Sequence, residues 1–404
     1  MTDSQDISEV RWEDFWDRTL EQLVKEGTIA FTGDLRNPRG DWVLFTPGRL
    51  LVDARVTGER GVADAISRAD ARLARSPETE AARATAERLG LRLFEARNDS
   101  VVDAVREMNR AVARSASLDH LLIGGPARWG GDSVPVPIND PGTVPGPDPD
   151  LGRGITVAVL DTGIAKVPFP FVGGSAGTDH AEVPDADGDG RRDAAAGHGT
   201  HVAGLVVSVA AGTQIVARRV LTGVAGIASD LAVAGALLDN ARADIINCSF
   251  SGPVLDDGAP VAVERALAQL PPTTVVVACA GNHGSDRPQW PAASKRVIAV
   301  GAIQRQRGSR RFAQPDFTNF GGWVDCCAPG VDVPSTFLGG IDGFAGFASW
   351  SGTSMACPQV AGAIAAIASR DGVDVRTAAY RLVQDPARPR MQGLGAIVDP
   401  ANLP

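Results

Sequence analysis

Four side chains suited to acyl transfer each sit beside glycine and next to an apolar run: Asp161 in VAVLDTGI, His198 in GHGTHVAG, Asn282 in ACAGNHG and Ser354 in SGTSMACP. Serine is a weak nucleophile until a neighbouring base takes its proton. An imidazole held by a carboxylate is such a base, and a side-chain amide can donate to a developing oxyanion. Each residue alone has a plainer reading: Asp161 as a turn or cap, His198 as a structural histidine, Asn282 as a turn, Ser354 as an N-cap. The D-T-G triplet at Asp161 also suits an aspartic protease, but that chemistry needs two carboxylates, and one such triplet would require a homodimer.

The elements that must position these groups are legible as patterns. ITVAVL (155–160), IINCSF (245–250), TVVVACA (274–280) and VIAVGAI (297–303) are short, wholly apolar runs. Strands of that kind are buried on both faces, as in parallel sheets covered by helices. Helices are predicted over His201–Ala210, Asp230–Arg242, Val261–Leu270 and Met355–Ser369. Residues 153–404 therefore read as α/β, with functional groups at the carboxyl ends of strands. Before them, 14 of the 29 residues in 124–152 are Gly or Pro, which predicts an extended linker. Residues 1–123 read as a small α+β unit. Strands are predicted around 43–46, at 49–53 and at 91–95, with helices over Val62–Ala74, Glu78–Leu89 and Val101–Val112.

Composition excludes several classes of function. The formal charge is −9 with 39 basic and 48 acidic residues, so there is no basic footprint for nucleic acid. No apolar run approaches the roughly 18 residues of a membrane span. The chain opens acidic, without a basic and then apolar leader, and its five cysteines show no spaced framework. The expectation is a cytoplasmic protein with reduced, buried thiols.

The order Asp, His, Ser is that of subtilisin among unrelated serine triads, and the four windows together resemble the subtilisin-like serine proteases, or subtilases. The likeness extends through INCSFSGP (246–253), WPAASKRVIAVGAI (290–303), VDCCAPG (324–330) and GLGAIVDP (393–400). It implies a subtilisin-like parallel sheet with helices on both faces, and a serine endopeptidase acting on peptide or protein substrates without a catalytic cofactor. Asp161, His198 and Ser354 then form the triad, and Asn282 with the Ser354 N–H binds the oxyanion. The resemblance further implies that Ser249, Phe250 and Ser251 pair with substrate as an added strand. Ser251 stands where the family usually has glycine, which would crowd that groove. Cys279, Ala280 and Gly281 line the primary specificity pocket, with Gln289 near its floor unless that side chain turns out to solvent. A peptide ligase or macrocyclase on the same fold, and a non-hydrolytic peptide-binding pseudoprotease, are the alternative functions. The first region resembles subtilase propeptides by position and size, which implies intramolecular inhibition; an unrelated regulatory domain is the other reading.

DADGDGRRD (185–193) predicts a structural calcium loop, because Asp185, Asp187, Asp189 and Asp193 alternate around a hard cation and Gly190 permits the sharp turn. The twelfth position is Ala196 in place of a bidentate Glu, so this is not a full EF-hand, and an acidic solvated loop is the alternative. The stretch after His201 is too short for the insertion that carries calcium in many subtilases.

Overall fold

The computed structural model describes residues 19–124, 134–139, 148–165, 181–306 and 308–403, apart from positions 36, 38, 189 and 310. Most of the predicted linker, residues 125–133 and 140–147, lies outside the described residues, as does Asp189. The first strands are β1 (Ala30–Thr32), β2 (Val43–Asp53), β3 (Arg72–Leu73), β4 (Leu91–Glu95), β5 (Ala116–Ile123) and β6 (Val136–Pro137). Then follow β7 (Thr156–Asp161), β8 (Gln214–Arg219), β9 (Ile227–Ser229), β10 (Ile245–Cys248), β11 (Val275–Cys279) and β12 (Val297–Arg305). The last are β13 (Phe312–Ala313), β14 (Cys326–Pro329), β15 (Val333–Gly339), β16 (Ala345–Trp350), β17 (Arg390–Met391) and β18 (Gly395–Ile397).

The main sheet runs β17-β18-β14-β12-β11-β10-β7-β8 among the described residues. Its β8–β7–β10–β11–β12–β14–β18 pairings are all parallel. The wholly apolar strands have the expected cause. Val157 and Val159 of β7 face a core shared with helices His198–Val209 and Thr353–Asp371. Ala158 and Leu160 face the opposite core, against helices Asp230–Asp239 and Val261–Gln269. With successive side chains pointing to opposite faces and both faces covered, the four positions 157–160 between Thr156 and Asp161 are all apolar. The chain order reverses at β7, which has β8 on one side and β10 on the other. A doubly wound sheet opens a crevice at such a point, beyond the strands' carboxyl ends.

The first region forms an antiparallel sheet of order β3-β4-β2-β5-β9, with β1 on β2. Its last member, β9, comes from the α/β part of the chain. Two buried carboxylates pin the junction. Asp230 Oδ2 lies 2.7 Å from His120 Nδ1, while Asp119 Oδ1 accepts the Leu231 N–H. Burial, and then the charge of Asp230, push the Asp119 carboxyl up to about 6.

Several boundaries differ from the sequence reading. The two short strands expected around 43–53 are one strand, β2, with a register shift between Phe45 and Leu50 where Pro47 and Gly48 interrupt the ladder. The helix expected over 62–74 is Arg60–Arg68, because Asp70 turns left-handed at φ 47° and β3 follows. The Ser354 helix starts at Thr353 and reaches Asp371, and the His198 helix starts at His198 itself. Strands β5, β8, β14, β15 and β16 are among those that had no sequence expectation. No helix among the described residues is long and apolar enough to cross a membrane.

Candidate active site

Asp161 ends β7 at the switch point and is fully buried. Its Oδ1 accepts the Thr162 N–H at 2.8 Å and lies 2.8 Å from His198 Nδ1. The glycines around His198 are there for space. A Cβ on Gly199 would come 2.2 Å from the Gly163 carbonyl, so only glycine lets the helix start approach the strand end. A Cβ on Gly197 would meet the Phe337 ring at 2.4 Å, and φ there is 85°. The imidazole stands edge-on to Trp350, with centroids 5.2 Å apart. Its Nε2 is buried and has no hydrogen-bond partner among the described residues.

Glu182, which the sequence reading did not select, braces this corner. Its Oε2 accepts the Thr162 hydroxyl at 2.9 Å, and Thr162 Oγ1 in turn accepts the Gly199 N–H at 2.9 Å. Burial pushes the Glu182 carboxyl up to about 8, with the Asp161 charge adding to the rise and the Thr162 hydroxyl opposing it. Thr162 and Glu182 line a cavity of about 280 Å³ with Asp193, Ala195, Arg219 and Leu221.

Ser354 is the second residue of the long small-residue helix and is 4% exposed. Its Oγ donates to the Ser249 carbonyl at 3.1 Å and lies 3.9 Å from Cys279 Sγ. In this rotamer it is not hydrogen-bonded to His198. Burial pushes the Cys279 thiol up to about 11, so it stays protonated at neutral pH and is not a competing nucleophile. Asn282 follows β11 and is held by Thr353, whose N–H and hydroxyl both reach Asn282 Oδ1 at 2.8 Å. With the oxygen so engaged, the amide NH2 is left on the other side, 3.3 Å from where a Gly352 Cβ would lie.

Beside the serine a polar recess opens. A Cβ on Gly281 would come 2.6 Å from Asn319 Nδ2, 2.9 Å from Ser251 Oγ and 3.3 Å from Gln289 Cγ. Gln289 is 2% exposed, so it does not turn out to solvent, and its Oε1 has no partner among the described residues. Cys279 and Ala280 are buried at the end of β11. Asn319 was not foreseen; it donates to the Ala280 carbonyl and accepts the N–H groups of His283 and Ser285.

The Ser249–Phe250–Ser251 segment already carries an added strand from the chain itself. Ile123 N–H donates to the Ser251 carbonyl at 3.0 Å, and Ser251 N–H donates to the Ile123 carbonyl at 3.1 Å. The Ser251 side chain therefore does not block strand addition, because it turns toward Gly281. On the other side, Leu121, Leu122 and Ile123 pair with Ser229, Ala228 and Ile227, and Gly124 N–H donates to the Gly226 carbonyl at 3.0 Å. Val136 and Pro137 pair with Ser349 and Ala348 of β16, the strand that leads into Ser354.

Of the acidic loop, Asp185, Asp187 and Asp193 bring oxygens within 4.8 Å of one another. The loop is tied by Gly188 and Gly190 N–H groups on the Asp185 carboxylate at 2.7 and 3.0 Å. Three converging carboxylate oxygens are hard ligands of the kind calcium takes.

The model of the subtilase family matches residues 152–393. Subtilisin Savinase of Lederbergia lenta is 34% identical over 231 residues, covering 54% of this chain and 78% of that protein. A thermophilic serine proteinase of Bacillus sp. (strain AK1) is 39% identical over 194 residues, 45% of each chain. Among solved structures, fervidolysin from Fervidobacterium pennivorans, a keratinolytic enzyme related to subtilisin, aligns with 89% of this chain and 62% of its own at a TM-score of 0.57. At 20% identity that likeness speaks for the fold, and it extends over more of the chain than the family model spans. From the matched residues, the parallel sheet and these relatives, the chain belongs to the subtilase family of serine endopeptidases.

Proposed function

We propose that the chain hydrolyses peptide bonds through an Asp161–His198–Ser354 triad and an acyl-enzyme. The observation that carries this reading is the 2.8 Å contact of Asp161 with His198 Nδ1, which leaves Nε2 without a partner and free to accept a proton. The attack requires Ser354 Oγ to leave the Ser249 carbonyl for that nitrogen by rotation about its Cα–Cβ bond; such contacts often tighten only when substrate binds. Ser354 Oγ then attacks the scissile carbonyl carbon while its proton passes to Nε2, and Asp161 stabilises the imidazolium. The oxyanion is met by Asn282 Nδ2 and the Ser354 N–H at the helix start. As the C–N bond breaks, His198 returns the proton to the leaving amine, and water repeats the sequence on the ester. Substrate lies extended against Ser249–Ser251, an added strand.

In the same reading the first region inhibits the enzyme, because residues 121–124 occupy that strand position. Residues 134–139 do not compete for that position, since Val136 and Pro137 pair with β16. Asp185, Asp187 and Asp193 would hold a calcium ion, which supplies no chemistry to the reaction and orders the loop leading to His198.

The test is a fluorophosphonate probe, which labels only an activated serine, combined with intact mass of peptide products. Labelling of the wild type and none of Ser354→Ala supports the triad. Equal labelling of both overturns it, and joined rather than hydrolysed peptides would point to ligation.

A further inference from the structure

We infer that the groove selects glycine at the second residue before the cleaved bond, because Leu221 and Phe250 narrow that subsite. The inference rests on the proteolytic reading and adds the class of substrate to it.

The register fixes which position is meant. Ile123 pairs both ways with Ser251, and Ser354 Oγ sits on the carbonyl of Ser249. In an antiparallel pair, two residues back along one strand is two residues forward along the other. A peptide lying in the register of residues 121–124 therefore brings to Ser354 the residue after its Gly124 equivalent. Leu122, Ile123 and Gly124 accordingly occupy the fourth, third and second places before the cleaved bond.

Gly124 is glycine for want of space. It is buried, and its φ is not in the left-handed range, so backbone conformation does not demand glycine. A Cβ there would lie 2.1 Å from Leu221 Cδ1, 3.2 Å from Phe250 Cβ and 3.3 Å from Leu221 Cγ. A flexible side-chain end can usually yield, but Leu221 is 1% exposed and packed in one core with Leu122, Leu231 and Phe250, so turning it into the cavity it borders would cost those contacts. The Phe250 Cβ is carried by the backbone of the segment that must pair with substrate and cannot retreat without breaking that ladder. On the other edge the peptide backbone itself is held close, since a Cβ on Gly226 would come 2.6 Å from the Gly124 carbonyl. The third place is different: Ile123 is half-exposed, so side chains there are tolerated. The fourth is a filled apolar socket around fully buried Leu122.

The experiment uses the intact chain and two fluorogenic peptide pools, Leu-Ile-Gly-X and Leu-Ile-Ala-X, where X is the same equal mixture of residues. Occupancy of the groove by residues 121–124 lowers the rate on both pools by the same open fraction, so the ratio of kcat/KM is unaffected. One misfitting methyl in a close-packed pocket is worth about 10–200-fold, so the glycine pool should be favoured by at least about tenfold. Leu221→Val, which removes the offending Cδ1 and keeps a branched apolar side chain, should narrow that ratio. Equal rates on the two pools in the wild type, or a ratio that Leu221→Val leaves unchanged, overturns the inference.

A second measurement needs no turnover. Gly124→Ala should lower the melting temperature, and adding Leu221→Val should recover part of the loss, the mark of two groups in contact. Additive losses overturn the narrowed subsite. Hydrolysis of neither pool, even by a Leu122→Asp chain whose groove is freed, together with non-additive melting would instead count against the proteolytic reading and leave the subsite standing.

Discussion

Thr353 holds Asn282 by two hydrogen bonds to one oxygen: the Thr353 N–H and hydroxyl each lie 2.8 Å from Asn282 Oδ1. The Thr353 hydroxyl also accepts the Gly281 N–H at 3.0 Å. Thr353 thereby decides which way the Asn282 amide points. Asn282→Ala should lower kcat by about 10²–10³, a magnitude taken from subtilisin itself, with KM little changed. Thr353→Val keeps the N–H contact and loses the hydroxyl, so its loss in kcat should be smaller. A rise confined to KM in either variant would make Asn282 part of the groove wall.

Leu122 is fully buried between β9 and the Phe250 segment. Leu122→Asp places a charge in that core, which is costly unless the strand leaves it. The intact variant should therefore be labelled by a fluorophosphonate faster than the intact wild type. If the labelling rate does not change, residues 121–124 do not restrain the enzyme.

Glu182 gives a pH dependence whose sign can be worked out. Its folded-state pKa of about 8 lies above the ordinary 4.5, so the folded protein holds a proton that the unfolded chain has released. The stability it contributes is complete below the ordinary value and is lost as pH rises through about 8. Asp119, at about 6, behaves alike but has finished titrating at higher pH. Melting temperature between pH 6.5 and 8.5 should fall in the wild type and fall less in Glu182→Gln. Parallel curves would show that Glu182 is ionised throughout.

Calcium at Asp185, Asp187 and Asp193 should raise stability by mass action, about 2.7 kcal/mol at a hundred times the dissociation constant. A chelator should lower the melting temperature of the wild type and leave Asp187→Ala with Asp193→Ala unaffected. A wild type indifferent to chelator has only an acidic loop there.

The sequence displayed the four inner strands β7, β10, β11 and β12 of the main sheet, and the four reactive windows, because both depend on local pattern. Apolar runs such as TVVVACA need no partner to be recognised, and the glycines of GHGTH and SGTSM mark close backbone approach. What stayed hidden depends on distant pairing. Glu182 is an ordinary acid until the fold puts the Thr162 hydroxyl against it. Asn319 becomes part of the polar recess only through its bond to Ala280. Strand β5, ASLDHLLI, carries Asp119 and His120 amid its apolar residues. Those two look wrong for a buried strand until Leu231 N–H and Asp230 supply their partners.

The shared sheet has a consequence for what happens if the two parts of the chain ever separate. β5 is an inner strand only because β9 lies beside it. Undocked, β5 becomes an eight-residue edge with its hydrogen-bonding groups open and only Asp119 and His120 at its middle to blunt it, so its apolar ends can recruit other chains. The same loss bares β9 and Ser251, which are shaped to take up an extended peptide. A liberated first region would thus be prone to self-association, and its removal by degradation would favour lasting activity as much as the cut that released it.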